Sequence, residues 1–379
     1  MLLRRAFSVC LVASVLVALP VAWTLSHSSD PAGWQEMLQL LVQDEKRNFD
    51  GDVSLFVKDV SDGQRFAHNA SVPSYLASGV KILVLIATFD AVHQGKLRWD
   101  EKLTFGIQDI RDGVVVLTGF KLGKSFTVEQ LVNWMMKKSD NAATDLLIKR
   151  IGIDVVNQVA KTYGGPGLGT VTSLLEVRRQ IYRRLDKRAD GLSAAAIASI
   201  RRQGDFDARA KRLARLVGQD GRAYSGKDLW NAYQEYYESG SNSAPLDAVG
   251  SLLEKLVRGE VINPEISESI LALMAECETG GNRIRAGLPA GVKLIHKTGT
   301  QHMRLCDLGI FYLSENEPIV FSICLKNFED LQKAESLVAR FASKTYALLR
   351  KKRRPGAPEL QLASVPNLSP LVPVADSED

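Results

Sequence analysis

The sequence predicts an α+β fold: one antiparallel sheet built from both ends of the chain, with flanking helices and an all-helical lobe between. Three observations carry that expectation. Strand-like runs at Asp52–Lys58 and Arg65–Ala67 surround a Ser61-Asp62-Gly63 turn, a hairpin signal. Three more apolar runs lie near residues 292 to 326. Between the two groups the apolar residues recur with helical spacing.

Taken in order, residues 1–29 read as a signal peptide or an N-terminal membrane anchor. Arg4-Arg5 precedes an apolar run from about Val9 to Leu25, close to the lower length that spans a bilayer. Either fate exports the rest of the chain, to the periplasm or tethered at the inner membrane, with membrane contact through this segment. Residues 30–350 read as the folded domain. A helix from about Trp34 to Phe49 precedes the first hairpin, and the helical lobe covers about residues 75 to 290. Within the lobe, Ile82–Ile86 is apolar all round and reads as buried helix, and Phe126–Met136 is amphipathic. A closing helix runs from about Leu331 to Leu349. Residues 351–379 open with Lys351-Lys352-Arg353-Arg354, hold five prolines and read as a disordered tail.

With 379 residues, 45% hydrophobic and 24% charged, the chain can bury a sizeable core, and a net charge of +5 demands no nucleic acid partner. No C-x-x-C and no paired histidine spacing is present, so neither a metal nor another cofactor is expected. Cys306 and Cys324 flank a hairpin, Leu308–Tyr312 with Ile319–Ile323, and either a disulfide or buried free thiols would suit them. With Cys277 the count outside the leader is odd. His296 and His302 lie near Lys297-Thr298-Gly299 and could line a cleft there, though a strand or loop histidine without a role is the commoner outcome.

Three short motifs follow one another: Ser78-Gly79-Val80-Lys81, Ser139-Asp140-Asn141 and Lys297-Thr298-Gly299. Ser78 stands at a helix start, near unpaired N–H groups, with Lys81 one turn on and facing the same way. A serine hydroxyl attacks only when a base takes its proton, and a desolvated lysine crowded by other cations serves at neutral pH. The bland alternative is a helix N-cap beside a surface lysine. Ser139 and Asn141 sit between two helices, where a hydroxyl relays a proton and an amide holds a side chain; a simple N-cap is again the alternative. Lys297, Thr298 and Thr300 close a strand around Gly299, offering a cation, hydroxyls and backbone N–H groups at an edge with room for close approach.

These three motifs, in this order, are those of class A β-lactamases and penicillin-binding proteins. The segment from about Asp50 to Lys326 resembles the class A β-lactamase-like serine hydrolases, apart from a helical insertion. Gly281–Pro289 before Lys297, and Ser139 through Gly152, support the resemblance. It implies a β-lactamase/transpeptidase-like fold with Ser78 as nucleophile and Lys81 as its base. Ser139 would be the proton relay, Asn141 a ligand for the substrate's side-chain amide, and Lys297 with Thr298 the clamp for its carboxylate. The N–H groups of Ser78 and Thr300 would form the oxyanion hole. A monomer acting on a small β-lactam or a cell-wall peptide is implied.

One departure stands out. The family's Glu-Pro-x-Leu-Asn loop, whose glutamate activates the deacylating water, is absent. Counting from Ser139 puts Glu176 within a residue of that place; aligning Val171–Leu174 instead puts Arg178 there. Leu175–Tyr182 reads as continuous helix. Glu176 is the candidate deacylating base, with a surface helix acid as the alternative.

From about residue 178 to 243 the chain carries a basic helical insertion, longer than family members need by roughly fifty residues. It reads as a solvated helical surface, with docking on an anionic membrane or polymer as the alternative. The function expected is a serine hydrolase forming an acyl-enzyme at Ser78, most simply a β-lactamase that hydrolyses the β-lactam amide. The alternatives are a D,D-peptidase or esterase on the same scaffold, and a penicillin-sensing or peptidoglycan-binding protein with little turnover.

Overall fold

α1 (Trp34–Glu45) leads into β1 (Asp52–Asp59) and β2 (Arg65–His68), which return on each other through a turn where Gly63 takes φ 77°. The computed structural model describes residues 33–113, 116–119, 122–165, 167–219 and 224–353. The expected targeting segment at residues 1–29, and the expected tail from residue 354 on, lie outside the described residues.

The chain then enters the helical lobe. β3 (Ser74–Tyr75) and a 3₁₀ turn (Ala77–Val80) precede α2 (Lys81–His93), whose residues from Lys81 to Phe89 are all buried, as the apolar run Ile82–Ile86 within it predicts. β4 (Lys102–Thr104) pairs with β5 (Ser125–Thr127), which hands over to α3 (Val128–Lys137) through a capping box of Thr127 and Gln130. α4 (Asn141–Ile151) and α5 (Ile153–Tyr163) complete this layer. α6 (Leu174–Leu185), α7 (Ala194–Arg201), α8 (Phe206–Leu216) and α9 (Gly226–Glu238) span the region expected to be an insertion, with α6 beginning just before it, and β6 (Ser243–Ala244) pairs back to β3. α10 (Leu246–Val257), α11 (Pro264–Ala275) and α12 (Ile284–Gly287) return the chain to the sheet as β7 (Leu294–Gln301), β8 (Arg304–Tyr312) and β9 (Pro318–Lys326), and α13 (Leu331–Arg353) closes it.

The sheet order is β2-β1-β9-β8-β7, antiparallel throughout. β1 lies against β9 from Asp52↔Lys326 to Asp59↔Ile319, so the sheet is assembled from both chain ends as its sequence pattern predicts. One face packs Leu55, Val57, Phe311 and Phe321 against Leu38 of α1 and Phe341 of α13; the other packs Phe56, Leu308 and Val320 against Val84 and Leu85 of α2. Each such fully buried side chain stabilises the fold by about 1.5–3 kcal/mol. A third cluster, built on Tyr182, Leu213, Leu229 and Tyr236, buries the inner faces of α6, α8 and α9.

Three expectations are refined here. Cys306 and Cys324 stand opposite each other on β8 and β9 and are joined in a disulfide, while Cys277 is free. β7 runs through Lys297-Thr298-Gly299 to Gln301 instead of ending before it, because its partner β8 continues to Arg304. The closing helix extends to Arg353, past the expected boundary at residue 350. The reason is electrostatic: Arg353 Nη2 donates to Asp59 Oδ1 at 2.8 Å and Lys352 Nζ to Asp59 Oδ2 at 3.2 Å, so a carboxylate with no exposure is neutralised.

Candidate active site

Ser78 lies in the 3₁₀ turn just before α2, half-buried on the floor of a cleft of about 650 Å³. Its position is over-determined. Ala77, immediately before it, is held at φ 49°, a left-handed conformation that a non-glycine residue adopts only when its surroundings enforce it. β7, the edge strand of the sheet, presses on this turn so closely that a Cβ at Gly299 would lie 2.1 Å from Leu76 O and 3.2 Å from Gly79 N. Only glycine at this point lets the strand reach the serine.

Lys81 follows one turn later with no exposure. Its Nζ donates to Ser139 O at 2.5 Å, Asn141 Oδ1 at 2.8 Å and Ser139 Oγ at 3.1 Å. Ser78 Oγ makes no hydrogen bond among the described residues, which leaves it open to a ligand. Ser139 takes φ 61°, and Asp140 caps α4 by accepting from Ala143 N at 2.8 Å, so the N-cap role and the cleft role coexist in one motif. Lys297 Nζ reaches across from β7 to donate to the same Ser139 Oγ at 3.0 Å. Two buried lysines thus share one hydroxyl.

That arrangement sets their protonation. Burial drives Lys81 well below the ordinary lysine range, and the charge of Lys297 pushes the same way against Asp140 and Asp145. Burial likewise lowers Lys297, to about 8. Both lysines therefore give up a proton more readily than an exposed lysine would, which is what a lysine needs to act as a base.

The K-T-G wall is braced by residues to which the sequence assigns no role. Arg283, within the Gly281–Pro289 stretch, donates from Nη2 to Thr300 Oγ1 at 2.7 Å and from Nε to Glu335 Oε1 at 3.0 Å. Thr279 and Thr298 share a hydrogen bond at 2.5 Å between their Oγ1 atoms. His296 Nδ1 lies 2.8 Å from Asp307 Oδ1; burial opposes its charge, but Asp307 outweighs burial and raises the imidazole to about 10. Burial would raise the Cys277 thiol, yet the hydrogen bond to His296 and the charge of Lys297 bring it down to about 6. A cysteine at the end of α11 and a histidine on β7 gave no local signal of this pairing. Among the described residues no group of three or more His, Cys, Asp or Glu could hold a metal ion.

Glu176 is not brought to the cleft. It sits in the first turn of α6, its N–H bonded to Ser173 Oγ at 3.2 Å and its Oε1 3.7 Å from Arg183 Nη2. Arg178, two residues on, lines the cleft instead. Its Nε donates to Asp112 Oδ2 at 2.7 Å and its Nη1 to Tyr233 OH at 3.1 Å. Burial disfavours its charge, but Asp112 prevails, so the guanidinium stays protonated. The insertion also departs from expectation. Arg201, Phe206, Arg209 and Tyr233 form part of the cleft wall, so its basic helices are not merely solvated surface.

The profile of the β-lactamase enzyme family matches residues 35–349. The chain belongs to this family. As a class A β-lactamase-like serine hydrolase it shares 24% identity over 319 residues with the β-lactamase SME-1 of Serratia marcescens, covering 84% of this chain and 86% of that protein. The β-lactamase of Mycobacterium tuberculosis strain H37Rv is 24% identical over 284 residues, 73% of this chain and 74% of that one. Among solved structures, a β-lactamase from Chitinophaga pinensis superposes with a TM-score of 0.62 at 17% identity, covering 84% of this chain and 99% of that chain. PBP-A superposes at 0.61 with 19% identity, covering 84% and 96%. At those identities the superpositions establish the shared fold.

Proposed function

We propose that this serine hydrolase attacks a β-lactam amide through Ser78 and forms an acyl-enzyme. The observation that carries the reading is the sharing of Ser139 Oγ by Lys81 and Lys297 beside the Ser78 turn. Neutral Lys81 takes the proton of Ser78 as its oxygen attacks the carbonyl carbon. Ser139, touching both lysines, passes a proton to the departing nitrogen. Lys297 with Thr298 and Thr300 holds the substrate carboxylate, Asn141 holds the side-chain amide, and the N–H groups of Ser78 and Thr300 receive the oxyanion. The chemistry needs no cofactor, and a monomer suffices. The leader at residues 1–29 supports action outside the cytoplasm, as a periplasmic or inner-membrane-tethered enzyme.

Release of the acyl group is the slow half of the cycle in this reading. Arg178 has no acceptor for a proton, and Asp112 already accepts from it. The same observation favours a second reading, a D,D-peptidase or a penicillin sensor in which a long-lived β-lactam adduct is no handicap. Mass spectra of the protein after mixing with benzylpenicillin, followed over time, test the proposal. An adduct mapping to Ser78 and absent in Ser78→Ala is the expected result; an adduct elsewhere overturns it. Release of D-alanine from a cell-wall peptide would favour the peptidase.

A further inference from the structure

The cleft has a second cationic wall that the mechanism above leaves unused. Arg201, in the last turn of α7, and Arg209, on α8, line the same cleft as Ser78, and His302, just past the end of β7, lines it with them. Among the described residues neither arginine is paired with a carboxylate. Arg209 Nε donates to Gln203 O at 3.0 Å, and its guanidinium stands 5.4 Å from the centroid of Phe206, whose ring lies 4.5 Å from that of His302. His302 Nε2 is buried without a hydrogen-bond partner among the described residues. The neighbouring cations are committed elsewhere, Arg178 to Asp112 and Arg304 to Gln234 Oε1 at 2.8 Å. Burial, reinforced by Arg209, Arg304 and Arg201, brings His302 down to about 4, so the ring is neutral at pH 7 and offers one N–H.

Position along β7 gives this wall a direction. Lys297 and Gln301, the last residue of β7, lie roughly 13 Å apart at about 3.3 Å per residue, and His302 follows directly. Gly299, between them, abuts the Ser78 turn. Lys297 on one side and the arginine wall beside His302 on the other therefore flank the nucleophile. With the carboxylate of the leaving-group side at Lys297, the Arg201 and Arg209 wall faces the acyl side.

Resting on the acyl-enzyme reading, we propose that Arg201, Arg209 and His302 form an anion subsite for a carboxylate on the acyl side chain, so that the enzyme selects substrates acidic on both sides of the bond broken. Two guanidiniums without a carboxylate partner, one of them stacked on Phe206, beside an unsatisfied imidazole nitrogen, are what a carboxylate ligand would complete.

Benzylpenicillin and its α-carboxybenzyl analogue differ by one carboxylate and serve as probes. Their affinities are measured by calorimetry on the full chain carrying Ser78→Ala, which blocks the chemistry. The carboxylated probe is expected to bind about tenfold tighter or more, the scale of a charge-assisted hydrogen bond. Adding Arg201→Ala with Arg209→Ala should bring the ratio to about one, while Arg202→Ala, outside the cleft lining, should leave it unchanged. If the double variant fails to fold, Arg201→Glu at an exposed site should reverse the preference. Equal affinities, a preference that survives loss of the arginines, or binding of neither probe overturns the subsite. An intact preference together with no Ser78 adduct in the unmodified chain overturns the acyl-enzyme reading alone.

Discussion

Arg178 and Asp112 form an ion pair on the wall of the cleft that holds Ser78, Nε to Oδ2 at 2.7 Å, with side chains only 9% and 7% exposed. A carboxylate so engaged is a poor proton acceptor for water, and its partner guanidinium is none. Deacylation from β-lactams should therefore be slow beside acylation. Stopped-flow turnover of a chromogenic cephalosporin is expected to show a burst and then a slow steady rate, with Glu176→Gln changing that rate by less than about twofold. A loss of about a hundredfold in that variant, the size expected of a general base, would return Glu176 to the mechanism.

The same pair has a structural consequence. Asp112→Asn leaves the Arg178 charge buried without its partner, and breaking a buried pair on one side costs about 3–5 kcal/mol. Urea denaturation midpoints measure it. Arg178→Met combined with Asp112→Leu, which removes both charges, should destabilise less than the single change. A larger loss in the double variant would show that packing, not charge, governs this wall.

Lys81→Ala should lower the rate of Ser78 acylation by about 10²–10⁴, the usual contribution of a positioned proton acceptor. Quenched mixing with penicillin followed by intact-mass analysis reads the rate directly. Near-normal acylation would remove Lys81 from the proton path and leave Ser139 to account for it.

The two lysines predict the pH profile of kcat/KM for acylation. Lys81 must be neutral, so activity rises as pH rises through its depressed pKa; Lys297 must be charged, so activity falls as pH rises past about 8. A bell results, with its alkaline limb near pH 8. Lys297→Arg, which does not titrate in this range, should move that limb upward. An unmoved limb would assign it to another group.

With its thiol at about 6, Cys277 is largely thiolate at pH 7, and it is partly exposed. Iodoacetamide should label it at neutral pH well ahead of an ordinary thiol, and peptide mapping should find Cys306 and Cys324 unlabelled unless reductant is added. Through Thr279 and Thr298 the adduct borders the K-T-G wall, so labelling should slow acylation. His296→Ala should slow the labelling itself.

How much of this was legible depended on the range of the interaction. The sheet pattern and the motifs are local, and Ser78, Lys81, Ser139, Asn141, Lys297, Thr298, Gly299 and Thr300 fall into one neighbourhood. Glu176 against Arg178 was beyond reach by counting. α6 is helical there, and two residues on a helix point about 200° apart, so an offset of two exchanges the cleft face for the outer one. The insertion reads as solvated because its arginines are long and polar, while the tyrosines and leucines that dock it meet partners only in the folded chain. Cys277 and His296 meet for the same reason, across the gap between α11 and β7. Asp59 neutralises the basic end of α13 from almost three hundred residues away.

The place of β9 in the sheet carries a consequence for how the enzyme comes into being. It lies between β1 and β8, pairing Asp52 with Lys326, about 270 residues apart, so β1–β2 and β7–β8 have no common frame until it docks. The nucleophile is made early and the strand that presses on it is made late, hung from β8. Closing so long a loop costs more chain entropy than the local pairings do, so the β1–β9 pairing should follow them. A nascent chain therefore carries Ser78 without a catalytic cleft until nearly the whole domain has been synthesised, and activity reports completed assembly.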